Sequence, residues 1–419
     1  MSNYKLTFKL KQHTPIIHFQ HDQHGATLRA TEVKPKLDRF LIDKLNLTQI
    51  VNGKEVPKDE YKKWFINEGK EHPALDYKLR FEPVKDKSYY LFFSFLNDDR
   101  KKNLANYIKS NKLINKKDEI DVKIIAPSPY FANNDKVKFN GDSVAINRSK
   151  FEELRYGVLA NENIKGVITS FNTHKCQVSL NNQTCKDITL LELIHKVLTE
   201  FFLINNFGTR QNKGFGSFTV VEINEKKVSY DKVTNMISNS TSFTYKIQGK
   251  VETINDIFKL IDNYYKKIKN KPSKKSTISL LRDYFDKKEI MWEKPAIKNK
   301  LVKGKNLKDK NKFKYVRALL GLAELFDYPK SGIKVKVKHA ENNDDKKIER
   351  FQSPITFKPI GKEIYFLVPR KTHLEKIKGE KFWFYTTDRL EYASNDQKLL
   401  LSVPNDFDIV NFLENAINH

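Results

Sequence analysis

The chain has 419 residues and carries 77 Lys and Arg against 51 Asp and Glu, for a formal charge of +26. A hydrophobic fraction of 39% with 29 Phe and 18 Tyr excludes a disordered chain, and the length allows two domains. Two cysteines exclude a disulfide framework, and the positive excess calls for a polyanionic partner: nucleic acid first, an anionic membrane second, a lysine-rich genome as the bland third.

Residues 4–10 alternate polar and apolar and read as a strand. With no apolar h-region there and no run of membrane-spanning length anywhere, a cytoplasmic protein with no membrane contact is expected. The loop "HTPIIHFQHDQHGATLRA" follows, rich in histidine, and then "TEVKPKLDRFLIDKL" reads as a helix with Pro35 in its first turn. Strand signals recur at 75–81, 89–95, 123–126 and 166–171. Residues 189–205 form the strongest helical pattern, with Thr189 as cap and Glu192 three residues on.

That helix runs into "NNFGTRQNKGFGSFTV" at 205–220. It lacks the Gly-Lys-Ser/Thr end of a P-loop, and its glycines follow a helix, whereas a dinucleotide fingerprint follows a strand. Two readings stand. In one it is a tight turn into a strand. In the other, Gly208, Gly214 and Gly216 let backbone N–H groups approach a phosphate while Arg210 and Lys213 supply charge. Phe215 and Phe218 stack on a base or pack beneath the loop accordingly.

Residues 224–250 read as a linker zone, and 256–268 and 279–285 as helices. The lysine-rich stretch 286–314 reads as a solvated loop, a flexible insertion or a backbone-gripping arm. "KYVRALLGLAELF" reads as a helix, "SGIKVKVKHA" as an alternating strand that lines up Lys334, Lys336 and Lys338, and "KEIYFLVPR" as another strand. The whole reads as two α+β domains, 1–240 and 241–419.

Three stretches carry a family resemblance. "GTRQNKGFGSF" resembles the glycine-rich loop of the RAMP superfamily of CRISPR-associated RNA-binding proteins, with Gly208, Arg210, Gly214 and Gly216 in place. "HTPIIHF" through "DRFL", with Thr14, Pro15, Arg29, Lys34 and Arg39, looks like the family's first turn, arginine loop and helix. "RALLGL" and "ERFQSP", with Arg317, Gly321, Leu322, Arg350, Ser353 and Pro354, resemble the C-terminal signature of the two-domain subunit at one end of type III-B effector complexes. The match covers about a third of the chain; a His-rich run and Lys34-Pro35-Lys36 depart from it.

The resemblance implies two ferredoxin-like (modified RNA-recognition) domains with insertions, no cofactor, no metal, and guide or target RNA and other effector subunits as partners. The residues expected to grip RNA are Arg29, Lys34, Arg39, Gly208, Arg210, Lys213, Gly214, Gly216, Arg317, Lys334, Lys336 and Arg350, with Arg29, Lys34, Arg210 and Lys213 in one basic cleft. The alternative is a metal-independent endoribonuclease for CRISPR-repeat RNA, using His18, His21 and Lys34 as acid and base, or Asp22 for target cleavage. The run His18, His21, Asp22, His24 also reads as a metal site or a plain surface loop. His174 with Cys176 and Cys185 lacks a fourth ligand, His195 reads as packed or exposed at a helix edge, and His339 as a strand-end surface residue.

Overall fold

The computed structural model describes residues 4–18, 27–66, 73–92, 119–125, 143–147, 156–180, 183–231, 233–269, 278–328, 330–341, 348–349 and 351–417. His21, Asp22, His24 and Arg350 lie outside these residues.

The N-terminal half is built on β1 (Lys5–Gln12), α1 (Ala30–Leu45), β2 (Lys78–Phe81), β3 (Ile164–Thr169), α2 (Leu190–Ile204) and β4 (Phe218–Ile223). The period-two pattern of β1 buries Leu6, Phe8 and Leu10 and leaves Lys5 and Lys11 outside. β1 pairs antiparallel with β4 and β3, and β2 pairs with β3, giving the spatial order β4-β1-β3-β2. α1 and α2 share one core with this sheet: Leu37 and Leu41 from α1, Phe201 and Phe202 from α2. The predicted capping box forms, Thr189 Oγ1 accepting from the Glu192 N–H and the Glu192 carboxylate from the Thr189 N–H. Pro35 falls in the second turn of α1 rather than the first, so the Thr31 carbonyl lacks its helical partner. Four further strands, Lys87–Phe92, Glu119–Ile125, Ser143–Asn147 and Tyr156–Ala160, form a separate sheet inserted between β2 and β3.

The C-terminal half opens with β5 (Thr241–Ile247), α3 (Ile254–Lys269) and α4 (Leu280–Asp286). It continues through β6 (Leu325–Tyr328), β7 (Ile333–His339), β8 (Thr356–Ile360), β9 (Glu363–Pro369), β10 (Lys381–Tyr385), β11 (Lys398–Ser402) and α5 (Ile409–Ile417). Its strands form two sheets, β5-β9-β8 and β6-β7-β10-β11. The chain is therefore mixed α+β, with several small sheets.

Four expectations are corrected. The zone 224–250 is not a linker: it holds the helix Val233–Ser238 and β5, which pairs with β9. Residues 286–314 are not one solvated loop; Met291–Trp292 pairs in parallel with Phe313–Lys314, and Ala296, Ile297 and Leu301 are buried. "KYVRALLGLAELF" is not a helix. A short 3-10 turn, Val316–Leu320, stops at Gly321 with φ +113°, and β6 begins four residues later. The leucines imitate helical spacing, but only glycine takes that backbone angle readily. His339 is likewise not a surface residue. Strand parity turns it inward with Val335, and its Nε2 lies 2.8 Å from Glu380 Oε2.

The two halves meet at the glycine loop. Phe215 leaves the first half and stacks on Phe258 of α3, ring centroids 4.3 Å apart. Lys358 of β8 is fully buried and donates to the Asn205 carbonyl at 2.8 Å and the Phe218 carbonyl at 2.9 Å. Asn206 Nδ2 donates to the Phe357 carbonyl at 2.8 Å, the Phe357 N–H to the Asn212 carbonyl at 3.0 Å, and the Gly361 N–H to His13 Nδ1 at 3.0 Å.

The glycines make this contact possible. A Cβ on Gly216 would collide with the Phe207 carbonyl, and φ there is +61°; Gly304 has φ +62° but open space. Gly216→Ala is expected to cost about 2–5 kcal/mol, from strain plus overpacking. Gly304→Ala, strain alone, is expected to cost about 1 kcal/mol. Equal shifts in urea midpoint for the two variants would contradict this account.

Candidate functional site

The loop's backbone donors are taken up inside the protein. The Gly208 N–H donates to Glu32 of α1, the Thr209 N–H to the Ile17 carbonyl at 2.8 Å and the Gly216 N–H to the Pro15 carbonyl at 3.0 Å. Thr14 Oγ1 donates to the Gly214 carbonyl at 2.6 Å and accepts from the Ser217 N–H at 3.0 Å. The Thr14-Pro15 turn thus clamps the loop. Phe215 and Phe218 are fully buried, which removes both as base-stacking residues.

What the loop brings to the joint is charge. Lys213 Nζ stands 4.8 Å from the centroid of the Tyr265 ring, on α3. One helical turn on, Lys269 Nζ donates to the Leu320 and Gly321 carbonyls, both at 3.0 Å. Arg317 follows in the 3-10 turn, its Nε ion-paired to Glu293, a carboxylate with no solvent exposure. The Arg317 guanidinium lies 4.7 Å from the Phe326 ring centroid and 5.6 Å from that of Trp292, which also carries Lys294 Nζ at 5.3 Å. Arg317 Nη2 is buried without a hydrogen-bond partner among the described residues, and so are Nε and Nη2 of Arg29, at the N-cap of α1.

Six cations gather here: Arg210, Lys213, Lys266, Lys269, Lys294 and Arg317. Two nearby carboxylates, Asp262 and Glu293, face them, and Asp262 is bound to Lys266 at 2.6 Å. The excess shows in the proton affinities. Burial, reinforced by Arg210, pushes Lys213 down to about 7 against a weaker opposing pull from Asp262. Burial, then Arg317 and Lys213, brings Lys269 to about 7, and burial with Arg317 brings Lys294 to about 8, Glu293 opposing in both.

The C-terminal motif joins this group. Lys269 Nζ, the Phe351 carbonyl and Ser353 Cβ all lie within 4 Å of where a Cβ on Gly321 would sit. Asn212 Nδ2 donates to the Ser353 carbonyl at 2.5 Å.

The structure brings Arg210, Lys213, Gly214 and Arg317 of the predicted residues to this joint. It does not bring Lys34, which is spent on Asp38 at 2.8 Å and the Leu75 carbonyl at 3.0 Å. The residue of α1 that grips the loop is Lys36, through the Asn206 carbonyl at 2.6 Å and Gln211 Oε1. Arg39 is exposed and bidentate to Glu55, at 2.9 and 3.0 Å. It borders a cleft of about 420 Å³ beside the loop, where Lys44 pairs with Glu200 and Lys371 with Asp43. Lys334 and Lys336 lie on β7, and His18 Nε2 donates to the Thr27 carbonyl at 2.7 Å. Lys269, Lys294, Trp292 and Tyr265 were not singled out from the sequence; the lysine-rich arm reading of 286–314 touched only Lys294 and Trp292.

Family models match the Cmr1 N-terminal domain to residues 3–271 and the Cmr1 C-terminal domain to residues 276–419. The chain belongs to the Cmr1 family. Cmr1 proteins are subunits of type III-B CRISPR effector complexes, in agreement with the resemblance read from the loop and the two flanking motifs. The boundary between the two Cmr1 domains falls after α3, although α3 packs in the core of the second half. No curated protein and no solved structure matches the chain. Among the described residues, no helix is long and apolar enough to cross a membrane.

The depressed affinities fix a pH dependence. Lys213 and Lys269 bind fewer protons folded than unfolded between about 7 and the ordinary lysine value of 10.5, so stability rises with pH across that window. Burial, with Lys358 and Lys11 beside it, holds His13 at about 3, so its contribution is present above 6.5 and lost as pH falls toward about 3. Lys213→Met is expected to be more stable than wild type at pH 7 in urea unfolding, the gap closing by about pH 10.5. His13→Gln is expected to flatten the loss between pH 6.5 and 3.

Proposed function

We propose that this chain is an RNA-binding subunit at one end of a type III-B effector complex, gripping the backbone of guide or target RNA at the joint of its two halves. The observation that carries this reading is the buried cation excess around Arg317. A guanidinium donor buried without an acceptor costs on the order of 1–3 kcal/mol, more when charged, and a phosphate oxygen is the acceptor that a bidentate arginine fits best. Lys213, Lys269 and Lys294 then supply point charges along the same line. Such contacts read no sequence, which suits a subunit whose specificity lies in guide pairing.

The spatial order β4-β1-β3-β2, with α1 after β1 and α2 before β4, is that of a ferredoxin-like βαββαβ unit and supports a modified RNA-recognition fold for the first half. The second half we read as a diverged copy, with β5, α3, β8 and β9 as its remnant. Binding is favoured over cutting. His18 is engaged with a backbone carbonyl and Lys34 with Asp38, so neither stands ready for proton transfer at a 2′-hydroxyl.

The test is binding of labelled single-stranded and repeat-hairpin RNA to the pure protein across a salt series. Lys213→Met and Arg317→Ala are each expected to weaken binding about tenfold. Each should lower the slope of log K against log salt by about 0.7. Lys250→Ala, at an exposed residue paired among the described residues with Glu252, is expected to change little. Wild-type affinity is expected to fall between pH 6.5 and 8.5, because phosphate binding draws protons onto Lys213 and Lys269. Equal behaviour of all variants would return the loop to a structural joint. Cleavage of repeat RNA by the protein alone would replace this reading with the nuclease.

A further inference from the structure

The sheet β6-β7-β10-β11 has a second face that the joint does not use. Its inner face is apolar: Val335, Phe382, Phe384, Leu399 and Leu401 are buried, and Phe326 carries Arg317. Pairing register fixes what faces the other way. Lys338 stands opposite Trp383, and Trp383 opposite Leu400. In the neighbouring row Lys336 stands opposite Tyr385, and Tyr385 opposite Lys398. Lys334, opposite Asp327 of β6, and Lys381, opposite Ser402, share the same parity.

Lys334, Lys338 and Lys381 are exposed, and Trp383 is half-buried with Lys398 Nζ 5.7 Å from its ring centroid. Lys336 is held by Asp388 at 3.2 Å. Among the described residues, no carboxylate forms an ion pair with Lys334, Lys338, Lys381 or Lys398. The face therefore combines one half-buried indole with three lysines on three adjacent strands, Lys338, Lys381 and Lys398, that have no carboxylate ion pair among the described residues, while Lys334 faces Asp327 across the strand pair.

We propose that this face is a second RNA contact, binding single-stranded RNA with one base stacked on Trp383 and the backbone tracked by Lys334, Lys338, Lys381 and Lys398. Alternate residues on a strand are about 6.8 Å apart, a spacing on which successive phosphates of an extended strand can be followed. A duplex does not fit, because its bases offer no free face to an indole. A protein partner fits poorly, because interface centres are depleted in lysine and this face has an aromatic ringed by it. Stacking on a ring beside a cationic track is how sequence-tolerant single-strand sites work. The inference goes beyond the joint site and does not depend on it.

The experiment uses the full chain with single-stranded RNA carrying 4-thiouridine. Ultraviolet crosslinks are mapped by peptide mass, and affinity is measured for Trp383→Ala, Trp383→Phe and Lys334→Ala/Lys338→Ala beside Lys213→Met. A crosslink within 381–385 is expected. Trp383→Ala should weaken binding about 5- to 100-fold, while Trp383→Phe keeps most of the affinity. The double lysine variant should lower the salt slope by about 1.4. Lys213→Met should leave the 381–385 crosslink in place, which separates failure here from failure at the joint. Unchanged affinity in Trp383→Ala with crosslinks elsewhere overturns the proposal. So does a Trp383→Ala protein that binds RNA normally but no longer joins its neighbouring subunits, which would make the face a protein interface.

Discussion

The buried amine of Lys358 is the contact on which the arrangement of the two halves depends. It sits on β8 of the second half and donates to two carbonyls, of Asn205 and Phe218, that bracket the glycine loop of the first. A donor so deeply buried is tolerable only while both acceptors stay within reach, and burial with Lys36 nearby holds its proton affinity well below the lysine norm. The loop between those carbonyls is thereby fixed at both ends, and Phe215 is driven into the other half's core. The position of Lys213, and hence of the whole cation line through Lys269 to Arg317, follows from that fixation.

The glycine loop works differently from the usual phosphate loop. There, glycines expose N–H groups to the ligand. Here Gly208 and Gly216 let backbone meet backbone, at Ile17 and Phe207, and Gly214 makes room for the side chains of Ile261 and Pro359. The conformational freedom of glycine goes into building the joint, and side chains from four separate segments provide the charge.

Much of the local structure could be read from the residues because its causes are local. The capping box of α2 and the alternation of β1 and β7 are short-range signals, and each formed where expected. The misreadings share a cause. The leucines of 316–326 looked helical until Gly321 is given its φ of +113°. Residues 224–250 looked like a linker because the partner of β5 is β9, more than a hundred residues away. At the site, Arg210, Lys213 and Arg317 stood out through motif spacing. Lys269 did not, because what makes it special is the pair of carbonyls at 320 and 321, 51 and 52 residues distant. Lys34 and Lys36 differ only in which side of α1 they leave, and a helical pattern alone does not say which side meets the loop.

The joint also dictates an order of events during synthesis. His13 follows the central strand of the first half, yet the N–H that satisfies its Nδ1 belongs to Gly361, 348 residues later. At about 5–20 residues per second the ribosome needs about 17–70 s to deliver that partner. Within that interval Phe215 waits about 2–9 s for Phe258, 43 residues on, and the Phe218 carbonyl about 7–28 s for Lys358, 140 residues on. The first half must wait with an open apolar seam and unfilled acceptors, a long-range closure of the kind that slows folding and invites misassembly. The first half's side of the joint is complete only once Lys358 and Gly361 have been made.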